Sequence, residues 1–355
     1  MSRKKFLNLK TVQKIIFARQ LALMLRSGIS IIDSLSFIKK QTKNKTFKYI
    51  LDSIVTDLEK GSSLANALKK FQKVFGLLFI SVVEVGELSG NLDKNLEYLA
   101  KELKKQNDLK KKLVSVFIYP VFILVATLGV ASLMIFVIFP RILPLFIDLK
   151  IRLPLLTRIF INLSNFLLSY WPFILGSLIV FVFLIYISTK IRQTKYFLDL
   201  LIYKIPLVSS IIRYSVLANI SRNLALLLNS GLDIVKSIEI VSFGTKNLIY
   251  KKILENLIVS VKAGHSLKEF FRQEAHYFDD VFLNLLEVGE KTGSLNNNLL
   301  YLSEYYEETL DEKLKNFVTI LEPLLLALMG VIVAFMGLAI VTPIYQITQE
   351  IQFKQ

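Results

Sequence analysis

The chain contains itself twice, and no other property narrows its fold as much. Arg19-Gln20-Leu21-Ala22-Leu23 with Ser27-Gly28 returns 203 residues later as Arg222-Asn223-Leu224-Ala225-Leu226 with Ser230-Gly231. The offset holds without a gap. It carries Gly61 onto Gly264 within a Gly-x-Ser-Leu string, and Val85-Gly86-Glu87 with Gly90 onto Val288-Gly289-Glu290 with Gly293. It also carries Pro120 onto Pro323 and Pro140 onto Pro343. Glycine and proline stand where a backbone needs a turn, a cap or a kink, so a match written in them implies two copies of one backbone.

Each copy reads as a water-soluble helical block followed by one apolar span. The chain is 53% hydrophobic yet 20% charged, too apolar for an ordinary soluble protein and too charged for one wholly in lipid. Three segments reach the roughly 20 apolar residues that a bilayer core requires: Leu113 to Pro140, about Phe166 to Ser188, and about Leu321 to Tyr345. In lipid the backbone must bond to itself, so these are expected to be helices. The middle span returns the chain to the side from which the first copy left, which places both blocks on one face of the membrane. In each copy the two prolines stand 20 residues apart, about 30 Å of helix, and are candidates for the entry and exit of the span. Helix punctuation alone would also explain them.

Lys104, Lys105, Lys110, Lys111 and Lys112 precede the first span, Lys190, Arg192 and Lys195 follow the second, and Lys313 and Lys315 precede the third. This excess of cations marks those ends, and the N-terminus, as cytoplasmic. Arg141, Lys150, Arg152 and Arg158 in the outer loop weigh the other way. Lys14, Arg19 and Arg26 interrupt the first apolar stretch, so no cleavable signal is expected. The resulting plan is a helical block over 1–112, a span over 113–140, a short non-cytoplasmic loop over 141–165 and a span over 166–188. A second block over 189–316, a span over 317–345 and a non-cytoplasmic tail over 346–355 complete it.

Within a block, apolar residues recur at helical spacing between Gly, Ser and Asn, which predicts about six helices. In the first copy these are Phe17 to Arg26 ending at Gly28, a helix capped by Ser30 to about Lys40, and about Lys45 to Lys60 before Gly61. Leu64 to Phe71, about Leu77 to Val85 before a Gly86-Glu87-Leu88-Ser89-Gly90 turn, and a long charged helix from about Leu92 follow. No alternation of strand type is sustained. The fold class is therefore all-α, with two homologous six-helix bundles and three transmembrane helices.

Catalytic equipment is not legible. There are no cysteines, which excludes disulfides, thiolate metal sites and Cys nucleophiles. His265 and His276 have no partner at metal-ligand spacing, and Gly289-Glu290-Lys291-Thr292-Gly293 lacks the glycines of a phosphate loop. Neither a cofactor nor a metal is expected. The candidate coupling or partner-binding residues are the equivalent pairs Glu84 and Glu287, and Glu87 and Glu290 of the Val-Gly-Glu turns. Glu322 joins them, beside Pro323 at the membrane boundary where the first copy has Tyr119. Pro120 and Pro323, and Gly330 with Ala334, small residues four apart that let helices approach closely, complete the set.

Charge separates the copies. Residues 1–112 carry 23 basic and 10 acidic side chains, and residues 190–316 carry 16 and 15. A block so basic suits anionic lipid headgroups or an acidic protein partner, while solvated lysine faces are the simpler reading. Glu304, Glu307, Glu308, Asp311 and Glu312 of the second copy form a solvated face or a docking face for a basic partner. The basic residues lack an interleaved aromatic platform, so nucleic acid is not an expected partner. A transporter would show broken spans and buried mid-bilayer charge; these span centres are uncharged.

Phe17-Ala18-Arg19-Gln20-Leu21-Ala22 with Ser27-Gly28, the two Val-Gly-Glu-x-x-Gly strings, Tyr119-Pro120, Leu321-Glu322-Pro323, Pro140 and Pro343 together resemble one family over nearly the whole chain. It is the family of bacterial type II secretion system F and type IV pilus inner-membrane platform proteins. The resemblance implies six-helix blocks, a homo-oligomer in the cytoplasmic membrane with other inner-membrane assembly components, and no enzymatic activity. It also implies coupling of a cytoplasmic assembly ATPase to a growing pilin or pseudopilin filament. Asn223 departs from the family's Gln, and many members carry a longer N-terminal lead before the position of Phe17.

Overall fold

The computed structural model describes residues 8–138, 140, 141, 144, 154–188 and 191–352. The first copy forms α1 (Thr11–Arg26), α2 (Ile31–Gln41), α3 (Lys45–Glu59), α4 (Leu64–Lys69), the single turn α5 (Gln72–Phe75), α6 (Leu77–Leu88) and α7 (Leu92–Ser115). Next come α8 (Ile118–Leu133), a π-helical turn over Met134–Ile138, α9 (Leu155–Ser188) and α10 (Arg192–Ile202). The second copy forms α11 (Pro206–Asn229), α12 (Ile234–Gly244), α13 (Leu248–Lys262), α14 (Leu267–Gln273), α15 (Asp280–Thr292) and α16 (Leu295–Gln352). The fold is all-α, and three stretches, Leu92–Ile138, Leu155–Phe181 and Leu295–Thr342, are long and apolar enough to cross a membrane.

Helix ends repeat atom for atom. After α1, Gly28 takes φ +81° while Gly28 N–H donates to Leu25 O and Ile29 N–H to Met24 O. After α11, Gly231 takes φ +96° with the same two bonds, to Leu228 O and Leu227 O. Only glycine enters this left-handed position without strain. At N-termini, Ser30 and Asp233, Asn44 and Asn247, and Ser63 and Ser266 each accept from backbone N–H groups of the following turn. A hydroxyl or a carboxylate serves equally, so the cap survives where the residue does not.

Two compact units result. The first joins residues up to Lys112 with Tyr196–Lys313. Its core is one continuous apolar cluster, not two. Phe17, Phe47, Phe75 and Phe79 fill the first copy, with Phe17 and Phe47 centroids 5.6 Å apart. Phe271, Phe278, Phe282 and Tyr306 fill the second, with Phe271 and Phe278 4.5 Å apart. Helix α6 joins the two by packing on α11 and α12 as well as on α4.

The second unit holds α8, the π turn, α9 and the C-terminal part of α16. Ile135, Phe160, Met336 and Ala339 form its small core, and Thr157 donates to Ala339 O at 2.9 Å. Phe122, Phe173 and Val331 are each about two-thirds or more exposed, at 67%, 73% and 68%. Helices that turn such residues outward need an apolar solvent.

Some boundaries differ from the sequence expectation. Gly86 does not break α6, which continues to Leu88 so that only Ser89-Gly90 turn. The long helix of the first copy stops at Ser115 and restarts at Ile118, whereas that of the second runs unbroken from Leu295 to Gln352. The middle apolar helix begins at Leu155, not Phe166, because Thr157 and Phe160 pack inside this unit. The expected loop over 141–165 is therefore partly helix; most of 142–153 lies outside the described residues.

Candidate coupling site between the two repeats

Where the repeats meet in the first unit, α7 of one copy lies against α11 and α16 of the other. Lys105 Nζ reaches Glu304 Oε1 at 2.9 Å, and Lys112 Nζ reaches Asp311 Oδ2 at 2.6 Å. Gln106 donates to Asn223 Oδ1 at 2.5 Å, and Asn229 donates to the Tyr98 hydroxyl at 3.1 Å. The acidic run of the second copy thus has its basic partner inside the chain. At equal repeat positions α7 carries Lys101, Lys104 and Lys105 where α16 carries Glu304, Glu307 and Glu308. Opposite charge on equivalent helices lets one copy recognise the other and disfavours pairing with itself.

At the centre sits Arg222, wholly buried. Its Nε is 3.0 Å from Glu102 Oε2 and its Nη2 is 2.5 Å from Glu307 Oε1. Glu102 is also buried, and Glu307 is mostly covered. Despite this proximity, neither the Arg222 nitrogens nor the Glu102 oxygens make a hydrogen bond of good direction. Burial raises the Glu102 carboxyl above its ordinary pKa; Arg222 opposes that shift and Glu307 adds to it. Two carboxylates share one guanidinium in a poorly hydrated place, with Lys105 and Lys101 acting on Glu102 from farther out. A buried cluster that is paired but not fully hydrogen-bonded is sensitive to small displacements of the helices that carry it.

The sequence singled out Arg222 only as a repeat marker and Glu307 only as part of an acidic face, and passed over Glu102. A signal existed: Arg19, the counterpart of Arg222, is exposed, and Glu102 and Glu307 answer to Tyr305 and Lys104. Departure from the repeat at two positions within reach of one matched arginine marks a contact between copies.

The expected site residues fall into two groups. Glu87 Oε1 and Oε2 accept from the Leu64 and Ala65 N–H groups at 2.6 and 2.8 Å, and Glu290 accepts from Leu267 N–H at 3.1 Å. Each carboxylate caps the N-terminus of a short helix, α4 or α14. The neighbouring glycines permit close crossing: a Cβ on Gly86 would stand 3.0 Å from Leu92 Cα, and one on Gly289 2.8 Å from Leu295 Cα. Glu84 pairs with Lys69 at 2.7 Å. Glu287 pairs with Lys268 and Lys291, whose ammonium groups hold its carboxyl down to about 2. The Val-Gly-Glu signature therefore locks α4 to α6, and α14 to α15, within each copy.

The remaining candidates do not join the cluster of Arg222, Glu102 and Glu307 between the copies. Pro120 is buried in the first turn of α8, where its missing N–H costs nothing, while Pro323 is exposed in the interior of α16. The repeat's first proline pair is thus not equivalent in structure. Glu322, Gly330 and Ala334 are exposed on α16, and nothing approaches Gly330.

Comparison with known proteins finds the same repeat. The family model described as type II secretion system (T2SS), protein F, matches residues 17–140 and again 220–343. Both ends of the two matches differ by the repeat offset. A type IV pilus assembly protein PilC of Thermus thermophilus is 33% identical over 334 residues, 94% of this chain and 82% of that protein. One of Pseudomonas aeruginosa is 30% identical over 336 residues, 94% of this chain and 89% of that protein. A type II secretion system protein F of Pseudomonas aeruginosa is 27% identical over 335 residues, 93% and 82%. With both repeats matched and most of each relative covered, the chain belongs to the type II secretion system protein F family.

Proposed function

We propose that this chain is the inner-membrane platform on which a pilus or type II secretion filament is assembled. In this reading it passes motion from a cytoplasmic assembly ATPase to pilin or pseudopilin subunits. The observation that carries the mechanism is the ion-paired junction of α7 with α11 and α16. Helix α16 holds Glu304, Glu307 and Asp311 on the repeat junction and an apolar span in the same uninterrupted helix. A shift of one block against the other would travel along that helix without a joint to absorb it. The two blocks, read as paired six-helix bundles, would face the cytoplasm. The exposed apolar faces of the spans, Gly330 and Ala334 among them, would meet lipid, pilin helices, further inner-membrane components or a second copy. Glu322 and Pro323 would lie on the same route, while Pro120 would act through α8.

Two experiments test this. The chain has no cysteine, so Lys60→Cys, His265→Cys and Arg141→Cys can be labelled singly in cells. Equal protection of the first two from an impermeant thiol reagent, with labelling of the third, is expected; opposite behaviour of Lys60→Cys and His265→Cys would refute the topology. In-cell crosslinking followed by mass spectrometry should recover an assembly ATPase and a pilin, and recovery of neither would refute the platform.

A further inference from the structure

One copy of the repeat is covered where the other is bare. Helices α6 and α7 of the first copy pack on α11, α12 and α16 of the second, where Gln106 meets Asn223, Glu102 meets Arg222 and Lys105 meets Glu304. A Cβ on Gly231 would stand 3.6 Å from Val85. On that corner of α11 and α12, Leu226, Leu232 and Ile240 are buried. Their counterparts in the first copy, Leu23, Ile29 and Phe37, are apolar too, yet 65%, 43% and 48% exposed. The face that does the covering is also repeated. Val85 and Tyr98, which meet Gly231 and Asn229, return as Val288 and Tyr301, and these are 50% and 58% exposed. A single chain thus makes the contact once and carries each half of it a second time, unused.

We infer that the bare α1–α2 face of one chain receives the α15–α16 face of another identical chain, through the same contact that joins the two copies within a chain. Moved by the repeat offset, each internal pair becomes a compatible external one. Val85 on Gly231 becomes Val288 on Gly28, and Gln106 with Asn223 becomes Thr309 with Gln20. Lys105 with Glu304 becomes Glu308 with Lys101, and Lys112 with Asp311 becomes Lys315 with Asp108. The first pair exchanges its signs and the second keeps them, and both remain attractive. Glu102 with Arg222 becomes Tyr305 with Arg19, an aromatic ring offered to a guanidinium. The two internal ion pairs of α7 with α16 share one sequence separation, 199 residues, so these helices run parallel. Chains joined by the same contact therefore stand in one orientation, as copies in one membrane must. Because unlike faces meet, the contact runs head to tail, with first and second copies alternating. The inference concerns the helical blocks and stands whether or not the platform reading holds.

The test mixes two full-length chains with different tags in liposomes that hold no other protein, one carrying Gln20→Cys and the other Thr309→Cys, and adds a short bismaleimide. A product joining the two different chains is expected, with little of either chain joined to itself. Leu23→Asp in the first chain changes an exposed side chain, and circular dichroism checks that the chain stays folded; it should abolish the product. Glu308→Lys in the second chain should reduce the product about fivefold, the effect of reversing one exposed ion pair, and Lys101→Glu in the first chain should restore it. Absence of the product would overturn the inference and leave the face to another occupant, a different protein or the chain's own lead. Equal yields of like-chain products would mark a two-fold contact, and an equal yield with Lys60→Cys in place of Gln20→Cys would mark crowding alone. Either overturns the proposal, as does indifference to both Leu23→Asp and Glu308→Lys.

Discussion

Arg222 and Arg19 occupy one repeat position, yet one is wholly buried and the other exposed. Arg222→Ala strands Glu102 beside Glu307 and should cost about 3–5 kcal/mol of stability, whereas Arg19→Ala should fall within about 0.5 kcal/mol. Thermal unfolding in detergent would resolve the difference. The carboxylates predict pH behaviour of opposite sign. The pKa of Glu102 is raised when folded, so its contribution is complete below the reference value of 4.5 and is lost as pH rises through the folded value. Glu102→Gln should therefore flatten the decline in melting temperature above about pH 4.5. Glu287 is lowered, so its contribution is present above 4.5 and is lost as pH falls through about 2. Glu287→Gln should remove that acid limb by slightly lowering the melting temperature above about pH 4.5, with no change at the acid extreme where the contribution is already lost.

At the scale of elements, the Val-Gly-Glu string acts as a fastener between helices, and its two residues do different work. Gly289→Ala would gain about 1 kcal/mol of helix propensity but would press a methyl onto Leu295 Cα at 2.8 Å, and backbone does not yield. A net loss of at least ~1 kcal/mol is expected in thermal unfolding. Gly330→Ala, which meets nothing within 4 Å, should be neutral or mildly stabilising by the same measurement. Helix ends were legible in the sequence because caps and left-handed glycines are local chemistry. Gly86 misled for the same reason: a glycine can mark a turn or a close crossing, and only the neighbour at Leu92 distinguishes them. The start of α9 was missed because Thr157 and Phe160 are made helical and buried by partners on α16, far away in sequence.

Across the whole molecule, the two blocks share one core through α6, so neither is finished alone. A fragment of residues 1–112 exposes the face of α6 that packs on α11 and α12. It should self-associate or bind a hydrophobic dye, as measured by light scattering and fluorescence; a monomer that binds no dye would contradict the shared core. The lysines of α7 would be left without Glu304 and Asp311 in such a fragment, so its association should strengthen with salt.

The sequence by itself determined that a backbone is used twice, that three segments are long and apolar enough for lipid, and where most helices begin and end. Each of these is decided by residues within a few positions of one another, through hydrogen-bond capping, φ preference and hydrophobic periodicity. Only the tertiary structure decided that Arg222 is buried while Arg19 is not, and that the acidic run of one copy answers the basic run of the other. Those outcomes depend on which helices meet, and burial and pairing are properties of the contact and not of either sequence segment.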